Sequence, residues 1–203
     1  MTKLDTLYKI AADCPSDMRP HVPTLRDYAA GRSVLELGVR YGVSTSAFLA
    51  GYPRRMVSVD MNPFVYLESY EAAAKEAGID WQFYQSSSLD PREVFDLVFF
   101  DTTHYADHVR NELRIHVSPA SSTRFLIFHD TVLFGEIGDG GNPLTMTNPD
   151  PTVNPPGILY AIREFMCANP EWRLVHNSTY DATGFTTHEE HYAMGCGLMI
   201  LGR

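Results

Sequence analysis

Apolar runs of strand length alternate along most of the chain with segments whose apolar residues recur at helical spacing. The predicted strands cover residues 33–39, 55–61, 80–86, 95–101 and 124–130, with two late strands within 171–179 and 191–203. The predicted helices cover residues 19–31, 44–51, 62–78, 107–117 and 157–169. Strands that alternate with helices indicate a parallel sheet with helices on both faces. The pattern therefore predicts an α/β fold.

Local signals predict where two of these helices begin. Ser44 or Thr45 is expected to cap the helix after the first strand, because serine and threonine hydroxyls satisfy free N–H groups there. Asn62 is expected to cap the next helix, with Pro63 in its first turn and Gly78 at its end.

Residues 135–157 interrupt the pattern with five prolines and five glycines and no periodicity. A loop of this length in a compact domain is typical of a functional segment. We expect one domain over residues 1–203, with a helical lead-in over 1–31. Residues 135–157 are expected to form a lid that closes over a bound substrate.

Composition excludes several partners. The formal net charge is −9 and no run of Lys or Arg occurs, which argues against nucleic acid as the partner. No stretch approaches the roughly 20 apolar residues that span a bilayer, so no membrane association is expected. Three cysteines at wide spacing, without a C-x-x-C pair, indicate a reducing compartment. These features predict a cytoplasmic protein.

Polar residues follow each apolar strand at the point where it ends. Glu36, Asp60, Ser86–Ser88, Asp101 and His129–Asp130 stand at these positions. A single such aspartate would be interpreted as a turn former. Because ligands of open α/β sheets bind beyond the carboxyl ends of the strands, the whole set predicts a binding site at one edge of the sheet.

The glycines after the first strand favour one cofactor over another. A dinucleotide fingerprint needs G-x-G-x-x-G, but Arg40 and Val43 occupy its second and third glycine positions. Glu36 would also bring a negative charge towards a pyrophosphate. Both observations disfavour NAD and favour S-adenosyl-L-methionine (SAM), which has an ammonium group and no phosphate. Asp60 is suited to hydrogen-bond a ribose, which both cofactors contain.

With these features the chain resembles the class I SAM-dependent methyltransferases. It is similar to a small single-domain group that carries an E-x-G-x-x-x-G-x-S motif, a motif like D-x-x-H-x-Y and an H-D-T motif; here the tyrosine directly follows the histidine. These stretches are "ELGVRYGVS" (36–44), "DTTHY" (101–105) and "HDT" (129–131). The resemblance covers nearly the whole chain. It implies a Rossmann-like, doubly wound, seven-stranded sheet that is mostly parallel, with an antiparallel last strand.

The resemblance also implies which residues bind the cofactor. Gly38 and Gly42 would admit the methionine end of SAM, Glu36 would face its amino group, Asp60 would hold the ribose, and Ser87 or Ser88 would lie beside the adenine. The full implied set is Glu36, Gly38, Val39, Gly42, Ser44, Asp60, Met61, Ser87, Ser88 and Asp101.

For catalysis, the chain resembles the catechol O-methyltransferase-like enzymes, in which three oxygen ligands bind magnesium and a lysine is the base. By position, Asp101, His129 and Asp130 match the metal ligands, and His104 matches the lysine. His104 could accept a proton at neutral pH, oriented by Asp101. An imidazole ligand would shift the metal from magnesium towards manganese, iron or zinc. An arrangement without metal, with His129 and Asp130 in structural roles, stays open.

The leading hypothesis is therefore SAM-dependent O-methylation of a small-molecule hydroxyl. Three alternatives stay open: a metal-dependent oxidase, hydroxylase or hydrolase on the same fold, a protein that binds SAM without turnover, and an NAD oxidoreductase. The sequence leaves the acceptor, the identity of any metal and assembly into a homo-oligomer undecided.

Overall fold

The structure, a computed structural model, describes residues 1–118, 121–138, 155–178 and 196–203. The helices are α1 (Lys3–Asp13), α2 (Val22–Ala29), α3 (Val43–Ala50), α4 (Leu67–Glu76), α5 (Ala106–His116) and α6 (Ile158–Ala168), with a 3₁₀ turn at Arg19–His21. The strands are β1 (Ser33–Leu37), β2 (Arg55–Asp60), β3 (Asp80–Gln85), β4 (Leu97–Phe100), β5 (Phe125–His129), β6 (Arg173–Ser178) and β7 (Leu198–Gly202).

The strands form a seven-stranded sheet in the order β3-β2-β1-β4-β5-β7-β6. Strands β1 to β5 are parallel, and β7 runs antiparallel to both β5 and β6. Strands β1 and β4 are buried along their whole length, which explains why their sequences are apolar runs. The predicted fold class, with its antiparallel last strand, is confirmed.

Helices cover both faces of the sheet. Helices α1 to α4 contribute to one apolar cluster, which includes Leu25 and Phe48, and α5 and α6 contribute to the other, which includes Leu113 and Ile162. The strand order reverses between β1 and β4, so the loops that follow these two strands diverge and leave a crevice at their carboxyl ends.

Two predicted helix starts are wrong. Helix α3 begins at Val43 after Gly42, which has φ 78°, and the hydroxyls of Ser44 and Thr45 bind a buried carboxylate instead of capping the helix. Helix α4 begins at Leu67, well after Asn62, whose N–H donates to a carboxylate at the end of β2. The predicted end at Gly78 is correct, because this residue adopts φ 70° and donates its N–H to the Lys75 carbonyl.

Part of the predicted lid lies outside the described residues. Its two ends meet in an antiparallel bridge between Ile137 and Pro156, while residues 139–154 are not described. The lid role of 135–157 therefore stays a prediction. Among the described residues, the structure contains no helix with the length and apolar character needed to cross a membrane.

Candidate active site

Two adjacent cavities lie at the carboxyl ends of β1, β2 and β4. The first, of about 150 Å³, is lined by Ser16, Asp17, Met18, Val39, Arg40, Tyr41, Val43, Ser44, Asp60, Asp101, Thr102, His104 and Asp130. The second, of about 280 Å³, is lined by Gly38, Arg40, Val59, Asp60, Met61, Asn62, Ser88, Asp101, Thr102, Thr103 and His108. Arg40, Asp60, Asp101 and Thr102 line both cavities, so the two are neighbouring parts of one cleft.

Gly38 allows the β1 and β4 loops to approach each other. It has φ 92°, and a Cβ atom at this position would overlap the Asp101 carbonyl oxygen. No other residue fits here without moving the backbone. Gly42 acts differently, because a Cβ atom there would lie 2.6 Å from the Phe64 ring. This second glycine shapes the loop without lining either cavity.

Asp60 is fixed at the boundary between the cavities. Its Oδ2 accepts the N–H groups of Val39 (2.9 Å) and Arg40 (3.0 Å), and its Oδ1 accepts that of Asn62 (2.8 Å). Partial burial opposes ionisation, but these backbone donors outweigh it and lower the pKa of Asp60 below its usual value. Asp60 therefore presents a carboxylate to both cavities.

Glu36 lies behind the cleft rather than in it. Its carboxylate is fully buried and accepts hydrogen bonds from Ser44 (2.6 Å), Thr45 (2.9 Å) and Ser58 (2.6 Å). Burial raises the pKa of Glu36 to about 7, against the lowering effect of these three hydroxyls. Among the residues that the structure describes, Ser44 separates Glu36 from the first cavity, and Glu36 lines neither one.

This burial predicts a pH dependence of stability. The folded protein keeps a proton on Glu36 up to about pH 7, whereas the unfolded chain loses it near the usual pKa of 4.5. Between these values the folded state binds more protons, so the free energy of unfolding must fall as the pH rises. We expect urea denaturation to show a steeper fall between about pH 5 and 7 for the wild type than for Glu36→Gln. Parallel curves would contradict the raised pKa, and Glu71→Gln, at an exposed position, is the control.

Four side chains from β4, β5 and the loops that follow them form one cluster. His129 Nδ1 lies 3.2 Å from Asp101 Oδ1 and 3.5 Å from Asp130 Oδ2, and His104 Nε2 lies 2.9 Å from Asp130 Oδ2. Desolvation opposes charge on the buried His129, but the two carboxylates overcome it and raise the pKa of His129 well above its usual value. Burial likewise opposes ionisation of Asp130, yet the charge on His129 lowers the pKa of Asp130. Two carboxylates are thus held by one buried imidazolium.

The His104 ring is held by stacking as well as by its contact with Asp130. It lies parallel to the Phe134 ring, with 4.7 Å between the centroids and an interplanar angle of 1°. Its Nε2 is 3.6 Å from Asp101 Oδ1. His104 and Asp130 line the first cavity, while His129 is 1% exposed and lies behind them. An imidazole placed between a carboxylate and a cavity can accept a proton from a ligand there.

The same cluster fits a divalent ion. Asp101, His104 and Asp130 offer ligand atoms that all lie within 4.8 Å of one another. Two carboxylates and one imidazole suit manganese, iron or zinc better than magnesium. This group differs from the predicted set in one member, because it contains His104 in place of His129.

The structure brings most of the predicted cofactor residues together. Those that line at least one cavity are Gly38, Val39, Ser44, Asp60, Met61, Ser88 and Asp101. Glu36, Gly42 and Ser87 line neither cavity; the Ser87 hydroxyl accepts the N–H of Leu89 within a turn. Their predicted contacts with a cofactor stay predictions.

Some residues of the cleft were not predicted from the sequence. Ser16, Asp17 and Met18 of the lead-in form a wall of the first cavity, and Thr102 and His108 form part of the second. For His108 a signal existed: Glu112 stands four residues later, a spacing that places both side chains on the same face of a helix.

Comparisons with known proteins bear on the fold. No protein-family model matches the chain, and no curated protein matches it. Solved structures match well. An O-methyltransferase from Bacillus cereus, solved in complex with S-adenosylhomocysteine (SAH), has a TM-score of 0.55 and 18% identity and covers 99% of this chain and 90% of its own. A 1,6-didemethyltoxoflavin-N1-methyltransferase from Burkholderia thailandensis has a TM-score of 0.57 and 14% identity, covering 98% and 84%.

A third structure, from Streptococcus mutans, is described as a SAM-dependent methyltransferase and has a TM-score of 0.56 and 15% identity. The match covers 92% of this chain but only 49% of that protein, so this chain spans about half its length. The chain has the fold of SAM-dependent methyltransferases. At these identities the likeness establishes the fold, and the chemistry has to be argued from the cleft.

Proposed function

We propose that this protein transfers a methyl group from SAM to a hydroxyl group of a small molecule. The observation that carries the proposal is the position of Asp60 and Asp101, which line both cavities of one cleft, with His104 and Asp130 at its far end. A carboxylate at a ribose position and a base that lines the first cavity are what methyl transfer from a sulfonium nucleoside requires. The fold shared with methyltransferases supports the same conclusion.

The nucleoside of SAM would occupy the second cavity and its methionine end the first. Asp60 would accept a hydrogen bond from one ribose hydroxyl, because its bonds from the N–H groups of Val39, Arg40 and Asn62 leave one lone-pair site free, on Oδ1. Asp17, Asp101 and Asp130 give the first cavity an acidic lining that complements the sulfonium and ammonium charges. Glu36 would act on the methionine end through Ser44, which it orients.

The reaction would be an in-line displacement. The acceptor oxygen forms a bond to the methyl carbon as the bond from that carbon to sulfur breaks, and the sulfonium leaves as the neutral thioether of SAH. The hydroxyl proton would pass to Nδ1 of His104, because the ring hydrogen of the neutral imidazole lies on Nε2, which faces the Asp130 carboxylate. Asp130, at 2.9 Å, stabilises the resulting imidazolium.

A divalent ion would be held by Asp101, His104 and Asp130. When bound, such an ion would polarise the acceptor oxygen as a Lewis acid. A metal on one ring nitrogen of His104 leaves the ring hydrogen on the other, so the imidazole cannot also accept a proton and the two arrangements exclude each other. Elemental analysis of the purified protein distinguishes them without an activity assay.

Calorimetric titration tests the cofactor and the place of its ribose. We expect SAM and SAH to bind the wild type at micromolar level and NAD not to bind. Asp60→Ala should weaken SAH binding by about 1–3 kcal/mol, because a ribose hydroxyl loses its acceptor. Asp90→Ala, an exposed aspartate beyond β3 that lines neither cavity, is the matched control.

Two results would count against this assignment. Unchanged affinity in Asp60→Ala would contradict the ribose position. Binding of NAD in place of SAM and SAH by the wild type would contradict the proposed function itself.

A further inference from the structure

The second cavity is bounded on the α5 side by a network of polar side chains. Thr102 Oγ1 donates to Glu112 Oε1 (2.7 Å), and His108 Nε2 lies 3.1 Å from the same oxygen. Ser88 Oγ is 3.0 Å from His108 Nε2, and His116 Nε2 is 2.6 Å from the Ser88 carbonyl oxygen. This α5 network ties α5 to the loops that follow β3 and β4.

Glu112 is the centre of the network and is costly to bury. It is 0% exposed, and among the described residues its Oε2 is buried without a hydrogen-bond partner. The neighbouring buried positions of α5 hold apolar residues such as Val109 and Leu113, so packing alone does not call for a carboxylate. The carboxylate orients two side chains, the hydroxyl of Thr102 and the imidazole of His108. Both residues line the second cavity.

The contact with Glu112 also determines what His108 offers to a ligand. A carboxylate accepts hydrogen bonds, so the hydrogen of a neutral His108 lies on Nε2, which faces Glu112. The other ring nitrogen, Nδ1, is then an acceptor. The His108 side chain keeps 24% of its surface exposed, which leaves the ring accessible from the cavity that it lines.

The rest of this cavity combines apolar and polar groups. Val59 and Met61 contribute apolar surface, whereas Ser88, Thr102, Thr103 and His108 contribute polar groups. Asp60, assigned above to the ribose, also lines the cavity. Apolar surface for the ring faces and a few fixed polar groups for the ring edge are the features by which proteins recognise a nucleobase.

We propose that His108, positioned by Glu112, recognises the exocyclic amine of the adenine ring of the cofactor. The inference rests on the proposed function, because it takes the second cavity as the nucleoside site. Adenine donates from its 6-amino group to the acceptor Nδ1. A 6-oxo base such as hypoxanthine would place an oxygen against that lone pair and leave a polar group unpaired, which such sites discriminate against strongly.

The test compares SAH with S-inosylhomocysteine, whose base has a 6-oxo group in place of the 6-amino group and therefore carries a hydrogen on N1. We expect the wild type to bind SAH at least about tenfold more tightly, equivalent to about 1.4 kcal/mol. His108→Ala should bring this ratio close to one. Glu112→Gln should also lower it, because an amide can present a donor to His108. Asp107→Ala, a 91% exposed neighbour on the same helix, should keep the ratio.

The ratio of the two affinities separates recognition from general damage to the cleft. Asp60→Ala should weaken both compounds and leave their ratio intact, because both contain ribose. Equal binding of the two compounds by the wild type, or an undiminished ratio in His108→Ala, would overturn this inference alone. Binding of neither compound by the wild type would overturn the proposed function and this inference with it.

Discussion

Replacing His104 by alanine is expected to lower the turnover of methyl transfer by about 100-fold or more, because general base catalysis contributes 10²–10⁴-fold. The imidazole is the side chain that combines a place in the first cavity with a carboxylate 2.9 Å from its Nε2. Affinity for SAM should change little, since Asp60 and the β1 loop are untouched. Initial rates of SAH formation, with the best acceptor from a panel of phenols, sugars and small alcohols, measure the effect.

Two further measurements make this result specific. Added imidazole should restore part of the activity of His104→Ala, because a small base can enter the space that the side chain vacates. His176→Ala, on strand β6 and outside both cavities, should keep the wild-type rate. A wild-type rate in His104→Ala would remove this residue from the mechanism, whatever the controls show.

Replacing Gly38 by alanine is expected to cost several kcal/mol of the free energy of unfolding, a large share of the roughly 5–15 kcal/mol of a whole domain. A left-handed backbone costs an alanine about 1–2 kcal/mol. At φ 92°, the added Cβ atom would also overlap the Asp101 carbonyl oxygen and push the β1 and β4 loops apart. Urea denaturation measures the loss of stability. Calorimetric titration should show weaker binding of SAH, because the loops that line the cleft have moved.

Gly78→Ala is the matched control for this substitution. Gly78 has φ 70°, similarly left-handed, but a Cβ atom there would have nothing within 4 Å. It should therefore lose only the backbone cost of about 1–2 kcal/mol. Equal losses of the free energy of unfolding in the two variants would mean that the β1 and β4 loops can move apart at little cost. The close approach of Gly38 to Asp101 would then not constrain the site.

The sequence was most informative where burial is extreme. Strands covered on both faces must be apolar throughout, so the central strands could be located from the apolar runs in the sequence. Helix starts were harder to predict because they depend on what else competes for a hydroxyl. Ser44 and Thr45 have the chemistry of capping residues, but Glu36 takes their hydrogen bonds, and this is visible only once β1 and α3 are packed together.

The same contrast holds for the cleft. Asp60, Asp101 and Asp130 could be placed near one another because parallel strands deliver their carboxyl ends to one edge. The position of Asp17 in the cleft could not be predicted, because this residue belongs to the lead-in, where the sequence pattern does not indicate which side chains face the cleft. The sequence also could not show that Ser44 lies between Glu36 and the cavity, since this depends on a rotamer.

The wall formed by Ser16, Asp17 and Met18 has a consequence for how this protein can diversify. The segment precedes the first strand and contributes no residue to the sheet or the glycine loop, although Asp17 lies within 4.8 Å of Asp130 and Met18 packs in the core. Shape and charge on that side of the first cavity are thus determined by residues outside the sheet. Proteins with the same cluster of histidines and aspartates can therefore differ in the ligand they accept through a few residues of this segment.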